Sequence, residues 1–292
     1  MRITEHYILL GGASFLNDHS NTVQHVLRTV VGEVRPRGTA YIFLVVEALL
    51  RSFPVEGGLL LRDCGVLNTL IYSCALSYFE DDKCEPDRVI VLYLTALARV
   101  FLSAPSILQS LFPANLQSGA SFGEEEWISL YLLKFQVAGN GAHGLLFQKL
   151  WAILLLSVYP SPCTVKKSNQ IFDKLLYVLK NLNPSGSNVL SYEVGYDDEE
   201  DKDTLNIGAD VYEIAMQEQR SKVNIANFPL ASLCQSSFCI SNTIAHLQDI
   251  AITLSLREAV STKLDALEEN SVQNTVEETL QQLRHLLLET NR

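Results

Sequence analysis

Turn-forming residues divide the first 182 residues into apolar segments of about 13–20 residues, and this division limits the fold more than any other feature. Each segment has the apolar spacing of an amphipathic helix, and no alternating β pattern stands between turn signals. Helix pairs are predicted to begin near Ile3, Gly38, Pro86, Phe122 and Val165, at spacings of 35, 48, 36 and 43 residues. A recurring two-helix unit of about 40 residues indicates an all-α fold, an α-α superhelix (HEAT/armadillo-type solenoid).

Local signals predict where several of these helices begin and end. Helices are predicted at Asp87–Ala104 and from near Phe122 to Ala138, the latter with a capping box formed by Ser121 and Glu124. The remaining predicted boundaries are a turn at Asn17–Ser20, a cap at Thr39, helix ends at Pro54 and Pro105, a loop at Gly57-Gly58, one helix at Leu59–Phe79, and helices at Leu145–Tyr159 and Lys166–Leu182.

An acidic run, EVGYDDEEDKD at Glu193–Asp203, interrupts the apolar pattern and divides the chain. Seven of its eleven residues are carboxylates, so we expect it to be solvated. We therefore predict stacked two-helix repeats at 1–182, an acidic and largely disordered loop at 183–228, and C-terminal helices at 229–292. Those helices (Ile240–Leu267 and Val272–Leu288) are predicted to cap the solenoid, with pairing to another helix as the alternative.

The acidic run has two interpretations, a solvated linker or an arm that attracts a basic protein cargo. Electrostatic attraction favours a basic partner. The residues that would form this partner-binding site are Asp197, Asp198, Glu199, Glu200, Asp201 and Asp203.

Charge and composition exclude several classes of protein. With 22 basic and 33 acidic residues and a net charge of −11, the chain does not present a nucleic-acid surface. Six cysteines without a CxxC pair indicate reduced thiols in the cytoplasm or nucleus. The longest apolar block, Leu150–Leu156, is too short to span a membrane.

Two patterns resemble chemical sites but lack the required context. Gly139, Gly141 and Gly144 spell G-x-G-x-x-G, yet they follow a helix rather than a strand, so we interpret them as an inter-helix turn. Cys234, Cys239 and His246 do not complete a four-ligand zinc set. Cys64, Cys74 and Cys84 are interpreted as buried thiols. We predict no cofactor, no metal and no catalysis; an enzyme that uses the glycine-rich loop is the weaker alternative.

The opening third carries a more specific signal. The stretch ITEHYILLGGASFLNDHSNTVQHVLRTVVGEV at Ile3–Val34, followed by FPVE at Phe53–Glu56, resembles the C-terminal HEAT-repeat region of the importin-11-like members of the importin-β (karyopherin-β) family of nuclear transport receptors. The resemblance is strong over about the first 60 residues and thins towards Leu182.

The resemblance implies a receptor that shuttles between cytoplasm and nucleus and binds protein cargo for transport through the nuclear pore. It also implies binding of phenylalanine-glycine repeats of nucleoporins in apolar slots between neighbouring helices. The small GTPase Ran is a partner at the family level, but it binds chiefly to N-terminal repeats that we expect to be absent from this chain. The alternative function is a HEAT-repeat scaffold subunit of a complex unrelated to transport.

Overall fold

A computed structural model of the protein describes residues 2–80, 85–140, 144–159 and 161–181. This part of the chain contains ten helices and one short hairpin. The elements are α1 (Arg2–Val30), α2 (Pro36–Ser52), α3 (Pro54–Asp63), α4 (Val66–Phe79), α5 (Asp87–Ser103), α6 (Pro105–Gln109), β1 (Ala114–Asn115), β2 (Ser121–Phe122), α7 (Glu124–Ala138), α8 (Gly144–Val158), α9 (Pro162–Val165) and α10 (Ser168–Asn181). The predicted acidic loop and C-terminal helices lie outside the described residues.

The longer helices stack in two layers. The first layer runs α2, α5, α8 and the second runs α4, α7, α10. Between the layers, α5 packs on α4 and α7, and α8 packs on α7 and α10. The short α3 connects the layers by packing on α2, α4 and α5, and α1 packs on α2. An apolar face of each pair is therefore covered by the next pair, as in helical-repeat arrays. The predicted all-α solenoid is confirmed.

The repeat unit is longer than predicted and its phase differs. First-layer helices begin at Pro36, Asp87 and Gly144, so the units span 51 and 57 residues. The predicted starts near Phe122 and Val165 are wrong, because α7 and α10 are the second helices of their pairs. Tertiary contacts, rather than the spacing of apolar segments, decide which helix joins which layer.

The core lies between the layers and is rich in aromatic side chains. Tyr131 of α7 donates a hydrogen bond to the carbonyl of Leu94 in α5 at 2.6 Å, and Trp151 of α8 donates to the Thr95 hydroxyl of α5 at 3.2 Å. The Tyr131 and Trp151 rings meet edge to face, with centroids 4.9 Å apart. These buried polar contacts fix the register between α5, α7 and α8.

The first predicted hairpin is one continuous helix. Residues 17–20, predicted to form a turn, lie inside α1, where Asn17, Asp18 and His19 are exposed. A short run of polar residues can form the solvent-exposed face of a continuous helix, so it does not require a turn.

Two prolines stand where a helix ends, as predicted, and each also begins the next helix, because α2 ends at Ser52 and α5 at Ser103. Pro54 and Pro105 each stand at the first position of a new helix, where the missing N–H would be unpaired and the fixed φ suits the helix. Gly57 and Gly58, predicted to form a loop, therefore lie within α3. Gly58 allows α3 to approach α5 and α6, since an added Cβ would meet Ile107 at 3.1 Å and Val100 at 3.5 Å.

The predicted helix Leu59–Phe79 is broken at Gly65. Gly65 has φ 81° and ψ 1°, a left-handed conformation that separates α3 from α4. No single helix in the described part of the chain is long and apolar enough to cross a membrane, and α3 with α4 reaches that size only as a pair bent by 77°.

The caps also differ from those predicted. Helix α2 begins at Pro36, so Thr39 is internal and its hydroxyl donates to the Arg35 carbonyl at 3.4 Å. Helix α7 is capped two residues later than predicted, by the Glu126 carboxylate, which accepts from the Gly123 N–H at 2.9 Å. Ser121 instead belongs to the antiparallel hairpin β1–β2, and no alternating sequence pattern predicted this hairpin.

Candidate protein-binding surface

Large apolar side chains are exposed along the second layer. They are Tyr72 (37%), Tyr78 (36%) and Phe79 (40%) on α4, Leu133 (64%) on α7 and Tyr177 (41%) on α10. We refer to these five residues as the outer row. Among the described side chains, the other large apolar residue with comparable exposure is Val165 (49%), on the short α9.

Helical spacing places the outer row on the solvent side of its layer. Tyr72 and Phe79 are seven residues apart and share one face of α4. On α10, exposed Asp173 lies four residues before Tyr177, again on one face. Each second-layer helix thus turns at least one large apolar group outwards while its opposite face enters the core.

A rigid aromatic base supports one end of the outer row. The Tyr78 and Phe79 rings meet edge to face at 5.0 Å, and their centroids lie 6.1 and 6.4 Å from that of Phe122. Phe122 is fully buried and contacts Phe112, which in turn contacts Trp127 of α7. The exposed rings are therefore the outer end of an aromatic cluster that continues into the core.

Ion pairs border the row on the same helices. Lys134 beside Leu133 contacts the Asp87 carboxylate at 2.6 Å, and Lys167 contacts the Glu125 carboxylate at 3.0 Å. The hydrogen bond and charge of Lys167 lower the pKa of Glu125. The apolar side chains thus sit among fixed charges, as at the rim of a protein–protein interface.

The predicted acidic partner site, Asp197 to Asp203, lies outside the described residues, as do Cys234, Cys239 and His246. The structure therefore does not test these predictions. Among the described residues, no three His, Cys, Asp or Glu side chains come together as a metal site.

The glycine-rich sequence lies between two helices. Gly139 follows α7, Gly144 begins α8, and Gly141 is outside the described residues. A Cβ on Gly139 would contact the Gln148 side chain, whose amide donates to the Phe135 carbonyl at 3.0 Å. Close packing of the two helices explains the glycines at both described positions, and the strand required by a dinucleotide site is replaced by a helix.

The described cysteines are free thiols. Cys74 in α4 is fully buried, and desolvation raises its pKa. Burial also raises the pKa of Cys64, which lies in the turn after α3. Both thiols are therefore protonated at neutral pH and behave as small apolar groups.

Sequence reasoning missed the outer row. Periodicity did not single out Tyr72, Leu133 or Tyr177 and gave no sign that their faces stay uncovered. The usable signal is the adjacent pair Tyr78-Phe79, because neighbouring helix positions are about 100° apart and are rarely buried by one partner.

The fold is that of a helical-repeat protein, a stack of two-helix units whose second layer exposes large apolar side chains. A family model described as "Importin-11-like, TPR repeats" matches residues 1–287 of the chain. The chain therefore belongs to the importin-11-like family, whose members are receptor-type helical-repeat proteins of nuclear transport. TPR and HEAT repeats are both stacked helix pairs, so this description agrees with the two-layer array. Comparisons with curated proteins and with solved structures gave no match.

Proposed function

We propose that this chain is a protein-binding part of a nuclear transport receptor that carries protein cargo through the nuclear pore without catalysing a reaction. Its membership of the importin-11-like family supports this proposal. In this proposal the receptor shuttles between cytoplasm and nucleus, with the small GTPase Ran as a partner at the family level.

The outer row is the proposed binding site for phenylalanine-glycine repeats of nucleoporins. A single exposed apolar residue needs no explanation, but exposure on all three second-layer helices requires one. A phenylalanine ring that covers Leu133 would bury an apolar group that is 64% exposed in the free protein. Several weak contacts of this kind along the layer would together raise the overall affinity for the flexible repeat.

The acidic run is the proposed binding site for basic cargo. Residues 182–292 hold 18 acids and 7 bases, whereas residues 1–181 hold 15 of each, so the entire net charge lies beyond the described helices. Such concentration of charge attracts a basic protein segment and raises its association rate.

The first experiment measures binding of a fluorescent phenylalanine-glycine repeat fragment to the full chain and to Leu133→Ser. Loss of an apolar contact of about 1–2 kcal/mol predicts a Kd increase of roughly 10-fold. Val165→Ser is the matched control, because it removes an exposed apolar side chain away from the outer row. Equal Kd values for the original chain and Leu133→Ser would refute the proposed site.

The second experiment separates transport from the scaffold alternative. The original chain should capture both nucleoporin repeats and a basic peptide, and salt should weaken only the latter. Replacing Asp197, Asp198, Glu199, Glu200, Asp201 and Asp203 by Asn or Gln should weaken the peptide binding at low salt. A scaffold unrelated to transport would bind neither ligand.

A further inference from the structure

Helix α4 contributes three of the five residues of the outer row, and it carries no charged side chain. Its sequence is VLNTLIYSCALSYF, whereas α7 contains Lys134 and three glutamates and α10 contains Asp173. Tyr72 and Phe79 are 37% and 40% exposed, and the partly buried Leu76 lies between them at spacings of four and three residues. These three side chains form one uncharged apolar stripe over two turns of α4. An uncharged ligand with apolar side chains matches this stripe better than a charged segment does, because it leaves no charge without a partner.

Leu133 of α7 stands alone in comparison. Its neighbours on the outward face, Ser129 four residues before and Gln136 three residues after, are polar. The Ser129 hydroxyl donates to the Glu125 carbonyl of the same helix at 2.7 Å. Leu133 therefore offers a contact for one apolar side chain of a ligand, whereas α4 offers a stripe.

Helices α4 and α7 pack on each other in opposite directions. Phe79 is the last residue of α4, and its ring centroid lies 6.4 Å from that of Phe122, which shortly precedes α7. Further along, burial and then the neighbouring Cys74 of α4 raise the pKa of Tyr131 in the middle of α7. The end of α4 thus lies beside the start of α7, and the two helices stay side by side from there.

This arrangement brings Tyr72 and Leu133 to nearly the same level. With a rise of about 1.5 Å per residue, Tyr72 lies about 10 Å from the end of α4, and Leu133 lies about 14 Å from the start of α7. Packed helices have axes about 8–10 Å apart, so one aromatic ring can contact both side chains.

The outer row therefore contains two subsites on these helices. We define the upper subsite by Tyr78 and Phe79, whose rings meet edge to face at 5.0 Å beside the buried Phe122, and the lower subsite by Tyr72 and Leu133. The two subsites are about 10 Å apart along α4. In the polyproline II conformation, which disordered segments populate, residues three apart share one face and lie about 9 Å apart. Residues two apart span only about 6 Å and do not reach both subsites.

We propose that the outer row binds two phenylalanines of one repeat segment at once and prefers phenylalanines three residues apart. One ring binds at the upper subsite and the other at the lower subsite. This inference rests on the proposed binding of phenylalanine-glycine repeats and adds the spacing that the site selects. Recognition then depends on the spacing of the phenylalanines as well as on their number, because the second contact forms within one complex.

Two uncharged fluorescent peptides of identical composition test the spacing. One contains Phe-Gly-Ser-Phe and the other Phe-Ser-Phe-Gly, each with the same glycine and serine flanks, and fluorescence anisotropy measures their Kd for the full chain. The first peptide should bind on the order of 10-fold more tightly, because only this peptide reaches both subsites. Equal Kd values for two peptides that both bind would overturn the two-subsite inference and leave the proposed repeat binding intact. Absence of binding by both peptides would overturn the proposed function as well.

Surface variants assign the two contacts. Leu133→Ser should weaken binding of the first peptide on the order of 10-fold and that of the second at most about twofold, because the second peptide still uses the upper subsite. Val165→Ser is the matched control and should change neither Kd. Leu133 is 64% exposed, so its replacement leaves the core unchanged, and an unchanged Tm checks this. Equal losses for the two peptides with Leu133→Ser would overturn the inference.

Discussion

Replacing Gly144 by alanine tests whether packing explains the glycines between α7 and α8. A Cβ on Gly144 would lie within 3 Å of three backbone atoms of Gly139. Backbone atoms cannot turn aside as a flexible side chain can, so the start of α8 or the end of α7 has to shift. Overpacking of this kind costs about 1–3 kcal/mol. Since 1 kcal/mol shifts Tm by about 2–4 °C in a domain of this size, we expect a loss of about 2–12 °C.

Thermal unfolding followed by circular dichroism measures this loss, with Gly65→Ala as the matched control. Gly65 has φ 81°, but a Cβ there would meet nothing within 4 Å. Its replacement costs about 1–2 kcal/mol of backbone strain. About 0.4–1 kcal/mol of reduced chain entropy partly offsets this cost. An unchanged Tm for Gly144→Ala, together with nucleotide binding that this variant loses, would refute the packing argument and support a dinucleotide site.

Three further outcomes are expected. Glu47→Gln should lower the unfolding free energy in urea by about 3 kcal/mol, and more than Arg99→Met does, because it strands a charge that is 2% exposed rather than one that is 17% exposed. Equal losses would contradict this reasoning. Cys74 should resist iodoacetamide in the folded protein and react after denaturation, because burial raises its pKa. Lys167→Met should raise the pKa of Glu125 in an NMR titration. Because the pKa of Glu125 is lowered in the folded state, its pairing with Lys167 stabilises the fold above the ordinary carboxyl pKa. This stabilisation is lost as pH falls through the lowered pKa.

Helices with strong signals at both ends were predictable from the sequence. The prediction for α5 differs from the observed Asp87–Ser103 by one residue, and the predicted end of α7 at Ala138 agrees, whereas its predicted start near Phe122 is two residues too early. One proline precedes α5 and another follows it. Three acidic residues lie in the first turn of α7, where the helix dipole favours negative charge. Elsewhere the same residue type is compatible with either the end or the beginning of a helix. Pro54 interrupts one helix and opens the next, and the sequence alone does not show that the second helix follows without a loop.

The repeat phase and the outer row depend on tertiary contacts that no local pattern encodes. Phe122 looked like the start of a pair because an apolar helix follows it, but that helix packs back on α5 as a second-layer helix. Likewise, the apolar spacing of α7 includes Leu133 although no described neighbour covers it. Periodicity reports that a face is apolar, and only the arrangement of neighbours decides whether that face is core or surface.

The two layers differ in how far their helices are buried, and this difference supports the proposed binding role of the second layer. The first-layer helix α5 is apolar around nearly its whole circumference, with its one interior charge, Arg99, matched by Glu47. Such a helix has no free face to offer a partner without exposing the core. Among the described residues, the second layer has helices on one side only, so each of its helices can expose an apolar group such as Leu133 at no cost to the core. A binding partner that uses the second layer therefore leaves the stacking of the array intact, and stability and recognition can vary independently along the repeat.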